Sequence, residues 1–300
     1  MADGGPGGGG AVSPVSGKAL RGGAARPVRL GPRSVVALGL VSAIGLAFFG
    51  WPLLADERSE VVAHAQDAPW LFALLLPLLV GVVVATVADT GMGAKAVAML
   101  GVLAAVGAAM RPLGAGTAGL EPMFFLMVLA GRVLGPGFGF VLGSVTMFAS
   151  ALLTGGVGPW MPFQMLAMGW FAMGAGLLPG SERIRGRAEA LLLAAYGAVA
   201  AFGYGTVMNL QGWTIIPGMA SSISFQPGDP LLDNLVRFFA YVTATSLGWD
   251  LGRAILTVAL TLTVGPAVLR VLRRATRRAS FDAAVRFEAA EPGGRPDGTA

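Results

Sequence analysis

Asp250 and Arg253 are the two residues of this sequence whose types and spacing most directly suggest chemistry. They lie three positions apart near the start of a long apolar run, and on a helix this spacing brings both side chains to one face. An ionisable group within such a run is costly unless it pairs or faces a water-filled cavity. The pair therefore fits two roles, mutual neutralisation within the structure and direct contact with a bound ligand.

Six further polar or aromatic side chains lie near the ends of other apolar runs. They are Arg111, Glu121, Trp160, Gln164, Asn209 and Trp213. Trp160 can stack on a planar ring or can lie at a bilayer edge, where tryptophan is common. Gln164 follows one helical turn later and can read the polar edge of a ligand. With Asp250 and Arg253, these are the candidate substrate-binding residues, and we expect them to converge on one extracellular pocket.

The residue inventory excludes several classes of function. The chain has no cysteine, and its single histidine, His64, has no second histidine with which to share a metal. Catalysis inside a membrane needs paired acids, clustered histidines or an activated nucleophile, and the apolar runs offer little beyond Asp250 and Arg253. The phosphate-binding pattern Gly-x-x-x-x-Gly-Lys-[Ser/Thr] is matched only in part, at residues 91–95. We therefore predict a protein that is not an enzyme and holds no metal or cofactor.

Long apolar segments are the elements that must position these residues. Of the 300 residues, 55% are hydrophobic and 12% charged, against about 25% charged in soluble domains. Eight apolar runs follow one another, most of them near the ~20 residues that cross a bilayer as a helix. They occupy residues 34–54, 69–88, 93–110, 115–131, 133–153, 161–179, 188–209 and 249–269. The sequence therefore predicts an all-α polytopic membrane protein.

The run at 115–131 is the weakest of the eight, because its securely apolar part is short. The distribution of basic residues indicates that it nevertheless crosses. With eight crossings and the N-terminus inside, 17 of the 21 lysines and arginines fall on the inner side, as the positive-inside rule requires. This distribution favours contact with anionic lipid over nucleic acid. We expect a plasma-membrane protein with both termini in the cytoplasm.

The segments outside the runs also have predicted roles. Residues 1–33, rich in Gly, Pro, Ala and Arg, are predicted to be a disordered basic cytoplasmic tail, and residues 273–300 a second cytoplasmic tail. The longest outer connection is 210–248. Apolar residues at helical spacing within 231–246 predict an interfacial helix there, and Gly248 is the expected break before the final span.

Residues 95–180 carry the most distinctive motifs of the chain. RPLGAG at 111–116 precedes a short predicted helix that ends in Gly-x-x-x-Gly-Pro at 131–136. A further helix begins with Gly-x-Gly, and Gly-Pro-Trp-Met-Pro-Phe-Gln follows at 158–164. This pattern resembles the substrate-specific S component of energy-coupling factor (ECF) importers, in its cobalamin-related or uncharacterised branch, over about residues 91–272.

The resemblance implies a six-helix membrane core at 91–272 that binds a vitamin or related compound from outside and is thought to topple in the bilayer. The two runs within 34–90 form a transmembrane extension beyond the usual family pattern. The implied partners are a transmembrane T subunit and two ATPase subunits, which use the ATP. A small-residue stripe on the first core helix resembles the family's docking motif for the T subunit, and packing within this chain is the alternative. The stripe comprises Ala94, Ala98, Gly101 and Ala105.

The expected function is therefore that of the substrate-binding membrane subunit of an ECF-type importer, with a cobalamin-type substrate favoured. A stand-alone permease and a non-transporting membrane scaffold are the alternatives. We find no convincing internal repeat of the kind that many permeases show, and the polar loop chemistry argues mildly against a scaffold.

Overall fold

The computed structural model describes residues 31–54, 75–89, 94–114, 117–180, 183–214 and 218–279. Within these ranges the chain forms ten α-helices, a single 3₁₀ turn and no strand. The helices are α1 Pro32–Leu54, α2 Leu75–Asp89, α3 Ala94–Met110, α4 Met123–Leu134, α5 Pro136–Thr154, α6 Met161–Leu177, α7 Arg187–Trp213, α8 Leu231–Thr245, α9 Leu247–Thr263 and α10 Gly265–Ala279. The predicted all-α fold is confirmed. Residues 1–30 and 280–300 of the predicted tails, and His64, lie outside the described residues.

Helix α4 differs from the run predicted at 115–131. It spans Met123–Leu134, and turns and a 3₁₀ segment occupy the described residues between it and α3. A 12-residue helix is about 18 Å long, well short of the ~30 Å of hydrocarbon. The short length is tolerated because eleven of its twelve residues are buried by neighbouring helices. Its ends are therefore surrounded by protein, where irregular backbone can be satisfied, rather than by lipid.

Helix α4 is the centre of the bundle and contacts α3, α5, α6, α7, α9 and α10. Glu121, just before α4, bonds to Arg253 near the start of α9, whereas Arg132 near the end of α4 bonds to Glu189 near the start of α7. The chain thus passes from one end of the bundle to the other through α4. We call these the Arg253 end and the Glu189 end.

The two helices that precede the core, α1 and α2, contact each other and pack on its outside. Helix α1 lies against α6, where the Trp170 indole nitrogen donates to the Ser42 hydroxyl at 2.8 Å and the Phe49 ring meets the Phe163 ring edge-on at 4.8 Å. Helix α2 contacts α5 and α6. The extension is therefore joined to the core by specific side-chain contacts.

The C-terminal third contains two departures from the predicted elements. Helix α8 confirms that a helix lies within 231–246, and its interfacial position stays a prediction. The break before α9 lies at Ser246, and Gly248 is inside α9. The predicted end of the final run, residue 269, is wrong. Helix α9 stops at Thr263, and α10 follows it at an angle of 68°. Proline lacks a backbone N–H and is well placed only in the first turn of a helix, so the Gly265–Pro266 pair ends α9 and begins α10. Helix α10 continues across the predicted start of the tail at 273.

Four of the described helices, α1, α3, α5 and α7, are long and apolar enough to cross a membrane, and the bent pair α9–α10 makes a fifth if it counts as one span. Helices α2 and α4 are shorter apolar helices, and α6 has 17 residues. These helices are those of a multi-pass membrane protein. The count of eight crossings and the cytoplasmic position of both termini stay predictions.

Candidate functional site

A buried ionic triad forms at the Arg253 end. Arg253 donates from Nη1 to the Asp250 Oδ1 at 2.6 Å and from Nε to the Glu121 Oε2 at 2.9 Å. Asp250 and Arg253 are 2% and 8% exposed, whereas the Glu121 side chain is 21% exposed. Two carboxylates and one guanidinium leave the triad with one net negative charge, and Glu121 is its most accessible member.

Two aromatic rings cover the guanidinium of this triad. The Arg253 Cζ lies 4.8 Å from the centre of the Phe124 ring and 5.1 Å from that of Tyr204. The two rings meet edge-on at 4.9 Å. A desolvated cation–π contact of this kind contributes up to about 2 kcal/mol. The rings and the carboxylates together fix the orientation of Arg253.

Helix α7 packs closely on α9 beside the Asp250 carboxylate. A Cβ added at Gly205 would overlap this carboxylate, and one added at Gly197, two turns earlier, would come within 2.7 Å of the Thr257 methyl. Ala201, midway between the two glycines, is also buried. A stripe of small residues lets two helices approach closely, and here it brings the α7 backbone to the edge of the triad.

The loop before α4 is pressed onto the start of α9. A Cβ at Gly119 would overlap the backbone of Trp249, and one at Gly252 would overlap the Ala118 carbonyl. Gly119 has φ 89° and Ala118 has φ 52°, in a region that non-glycine residues seldom occupy. This tight contact holds Glu121, two residues further on, within reach of Arg253.

Arg111 and Gln164 form a second polar group at the same end. The Arg111 guanidinium donates to the Gln164 Oε1 at 3.3 Å and to the Ser150 hydroxyl at 3.4 Å, joining the end of α3 to α5 and α6. The segment after Arg111 lies against the triad, since a Cβ added at Gly114 would come within 3.1 Å of the Glu121 side chain, and the Tyr204 ring borders Arg253. The structure therefore brings together five of the eight predicted residues around Tyr204: Arg111, Glu121, Gln164, Asp250 and Arg253.

Asn209 lies one turn beyond Gly205 on α7. Its Oδ1 accepts from the Ser246 hydroxyl at 2.7 Å, just before α9, while its Nδ2 is buried without a hydrogen-bond partner among the described residues. Asn209 thus extends the α7–α9 seam on which the triad lies, and it retains an unused donor.

Trp213 lies in a separate aromatic cluster beneath the connection between α7 and α9. Its side chain is 1% exposed, its indole nitrogen donates to the Ile223 carbonyl at 2.7 Å, and its ring lies 5.2 Å from that of Phe238 and 5.4 Å from that of Phe225. Burial raises the pKa of the neighbouring Tyr241 hydroxyl in α8, so this group stays neutral. We call residues 218–245 the cap, and Trp213 anchors it.

Trp160 lies outside the group around Tyr204. It is 40% exposed, and its indole nitrogen donates to the Gly156 carbonyl within the same loop at 3.1 Å. The expected convergence of Trp160 and Trp213 on one pocket is therefore not present, because the Trp213 ring is buried under the cap and the Trp160 ring is exposed.

Residues 95–265 match the family model of the ECF transporter substrate-specific component. This segment covers more than half of the chain, and it contains the triad, Arg111 and Gln164 together with α3 to α9. The chain belongs to this family. No curated protein and no solved structure matches it. It is accordingly a substrate-binding membrane subunit of an ECF transporter.

The S component has an apolar cleft next to its ionic triad. The cleft, about 180 Å³ in volume, lies between α6 and α7. Its walls include Trp170, Phe171, Tyr196 and Tyr204. Tyr204 thus borders both the cleft and the guanidinium of Arg253, and a molecule in the cleft would lie beside charged groups.

Sequence reasoning missed the residues that shape this site. Phe124, Tyr204, Gly205, Ser150 and Ser246 were not predicted as parts of it. Tyr204 carried a usable signal, since only three tyrosines occur in the chain and a phenol within an apolar run needs a polar neighbour. Phe124 carried none, because phenylalanine is ordinary in a membrane helix.

The predicted docking stripe of the S component faces away from the bundle. Ala94, Ala98, Gly101 and Ala105 are all exposed, and a Cβ added at Gly101 would meet nothing within 4 Å. The opposite face of α3 packs on α5 through residues that include Gly107. A second exposed stripe, formed by Gly39, Ala43 and Ala47, lies on α1.

A second ionic cluster occupies the Glu189 end. The buried Glu189 Oε1 accepts from Arg132 Nε at 2.9 Å and from Arg273 Nη2 at 2.6 Å. Arg132 also donates to the carbonyls of Leu178 and Pro179 after α6. Helices α4, α7 and α10 and the end of α6 are thereby joined through one carboxylate.

Proposed function

We propose that this S component captures a vitamin or related micronutrient from the outside, for ATP-driven uptake by a transmembrane T subunit and two ATPase subunits. The ionic triad of Glu121, Asp250 and Arg253 carries the proposal. Charged groups within an apolar bundle are costly and mark binding or transport sites. The groups around Tyr204 also offer hydrogen-bonding and charged partners at the end of the bundle that is predicted to face outward.

The chemistry of the site favours a substrate with a polar end and an apolar ring. Glu121 can accept hydrogen bonds from a substrate amine or hydroxyl, and Arg111, held by the neutral Ser150 and Gln164, can donate to a substrate oxygen. The cleft beside Tyr204 offers aromatic walls for the apolar part. Pockets of this composition, mostly apolar with few polar groups, are usual for small ligands.

A cobalamin-type compound is the first substrate to test, because the motifs resemble that branch of the family. The described cleft of about 180 Å³ is smaller than the ~300–1,000 Å³ of pockets for drug-sized ligands. A corrinoid therefore requires α6 and α7, the two helices that line the cleft, to move apart. A compact vitamin requires less movement. The size of the bound molecule therefore distinguishes a corrinoid substrate from a compact vitamin.

Mass spectrometry of small molecules released from the protein purified in mild detergent tests the proposed function. We expect a vitamin-type compound near one equivalent per chain. Co-expression with T and ATPase subunits should yield a complex that co-purifies. Release of no such compound from protein that also binds no vitamin in a panel containing cyanocobalamin, riboflavin, thiamine and biotin would contradict the proposal, and purification without partner subunits would favour a stand-alone permease or scaffold.

A double substitution tests the part of the triad that lies on α9. Asp250→Asn with Arg253→Gln removes two opposite charges and keeps a polar side chain at both positions, so we expect normal insertion and uptake reduced roughly tenfold or more, in line with the loss of a charged hydrogen bond to a ligand. The matched control is Asp229→Asn with Arg237→Gln, which removes an ion pair of 2.6 Å in the cap. Uptake in cells should fall for the first pair and not for the second. Unchanged uptake in the first variant would remove Asp250 and Arg253 from the site.

A further inference from the structure

Helix α10 presents three different faces. The first is buried against the core and includes Leu269, Leu272 and Thr276. The other two are exposed. At about 100° per residue, the exposed residues fall into an arginine stripe, Arg270, Arg274 and Arg277, and an apolar stripe, Ala267, Val271 and Ala275, about a quarter turn apart.

Two features fix the rotation of α10 about its axis. Glu189 holds Arg273 at 2.6 Å on the edge of the buried face, and the leucines of that face belong to the main apolar core of the protein. The arginine and apolar stripes are therefore held outward together. Val271, in the apolar stripe, is 66% exposed.

The bend of 68° between α9 and α10 sets the direction of these faces. If α9 crosses the bilayer near its normal, α10 runs close to the membrane plane, at the end where α9 leaves the hydrocarbon. An amphipathic basic helix in this position binds the lipid interface, with apolar side chains toward the acyl chains and arginines toward the phosphates.

We infer that the arginine and apolar stripes of α10 form a binding surface for anionic phospholipid headgroups. In the described part of the chain no carboxylate lies within 4 Å of the Arg270 or Arg274 guanidinium; Arg270 donates instead to the Pro266 carbonyl in its own helix. The charges of Arg270 and Arg274 are therefore available to phosphate groups. This surface is separate from the proposed substrate site, which lies at the other end of α9.

The apolar stripe favours lipid over a soluble protein partner. Val271 and its neighbours have no covering element within the described residues, and they adjoin the arginine stripe. An acidic protein surface would satisfy the arginines but would leave the valine exposed to water. A lipid interface accommodates both stripes at once.

Lipid retention by the full chain tests this inference. The protein is reconstituted in vesicles of phosphatidylcholine and phosphatidylglycerol, extracted gently, and its bound lipids are counted by native mass spectrometry. Each basic side chain near an anionic surface contributes a factor of about five in affinity. We therefore expect Arg270→Gln with Arg274→Gln to reduce the preference for phosphatidylglycerol roughly 25-fold.

The matched control is Arg183→Gln with Arg185→Gln, which removes the same charge from two exposed arginines after α6. Because these arginines also lie at the Glu189 end but belong to no described helix with an apolar stripe, this variant should lower the preference by less than the α10 variant does. Equal loss in both variants, an unchanged preference in the α10 variant, or no preference in the native chain would overturn the inference. Loss of ATPase co-purification with the lipid preference intact would also overturn it, in favour of a protein partner.

A second measurement leaves the arginines in place. Because the chain has no cysteine, Val271→Cys gives a single site for a fluorescent label. We expect lipids that carry a quencher near the headgroup to quench this label, more strongly in phosphatidylglycerol than in phosphatidylcholine vesicles. A label that water-soluble quenchers reach freely and lipid quenchers do not would contradict a lipid-facing surface.

Discussion

At the scale of single residues, the triad illustrates how a charged group is kept in an apolar bundle. Arg253 bonds to two carboxylates and is covered by two aromatic rings. The carboxylates therefore neutralise its positive charge, and the rings shield it from the apolar surroundings. Breaking a buried ion pair by removing one partner costs about 3–5 kcal/mol. The arrangement therefore depends on small neighbours that leave room for it, of which Gly205 is the clearest.

Gly205→Ala tests that dependence. The added methyl group would overlap the Asp250 carboxylate, so α7 and α9 must separate or the ion pair must shift, at a cost of about 1–3 kcal/mol. We expect the unfolding temperature in detergent to fall by several degrees and substrate binding to weaken. Gly203→Ala, on the same helix with nothing within 4 Å of the added carbon, is the control for stability alone, since Gly203 lines the cleft. Equal stability of the two variants would show that the close approach at Gly205 is unimportant.

At the scale of elements, the two faces of α3 differ in their contacts. One face packs on α5. The other carries the stripe of small residues, and within the described chain nothing lies within 4 Å of a Cβ added at Gly101. Exposed small residues in a membrane helix permit another helix to approach closely. The exposed position supports docking to the T subunit over packing within this chain.

Gly101→Leu tests the stripe as a docking surface. The leucine has space in the isolated protein, so we expect unchanged yield and thermal stability, and co-purification of the T subunit reduced at least several-fold because the helices can no longer come close. Gly39→Leu, in the equivalent exposed stripe of α1, should leave the complex intact. A complex that survives Gly101→Leu would argue against docking through α3.

The elements also show which parts of the fold the sequence predicts well. Long apolar runs bounded by charges predicted α1, α3, α5, α6 and α7 to within four residues at each end, since hydropathy and helix length are both local properties. The bounds of α4 and the bend after Thr263 were missed. A helix encased by protein has no minimum length set by lipid, and hydropathy does not register a change of direction at Gly265.

In the site, too, contacts within one helix could be predicted from the sequence and contacts between distant segments could not. The spacing of Asp250 and Arg253 allowed the ion pair that forms, as one of the two roles considered, because the contact lies within one helix. The second partner of Arg253, Glu121, is 132 positions away, and no pattern in one sequence connects the two. For the same reason the separation of Trp160 from Trp213 was not foreseen.

At the scale of the whole molecule, the predicted topology can be tested directly. The absence of cysteine allows single labels at Gly156→Cys, in the loop after α5, and Arg185→Cys, in the segment after α6. If the Arg253 end faces outward, a membrane-impermeant thiol reagent applied to intact cells labels the first and not the second. Permeabilised cells provide the control, in which both react. The reverse pattern in intact cells would invert the orientation and contradict capture of substrate from outside.

The joint between α9 and α10 has a consequence for motion of the whole core. Helix α10 is held to α4 and α7 as well as to α9, so it turns with the bundle as one body. When the core stands upright, α10 lies flat; when the core leans, α10 must lift from or sink into the bilayer by the same angle. How deeply this helix is immersed therefore reports how far the core is inclined.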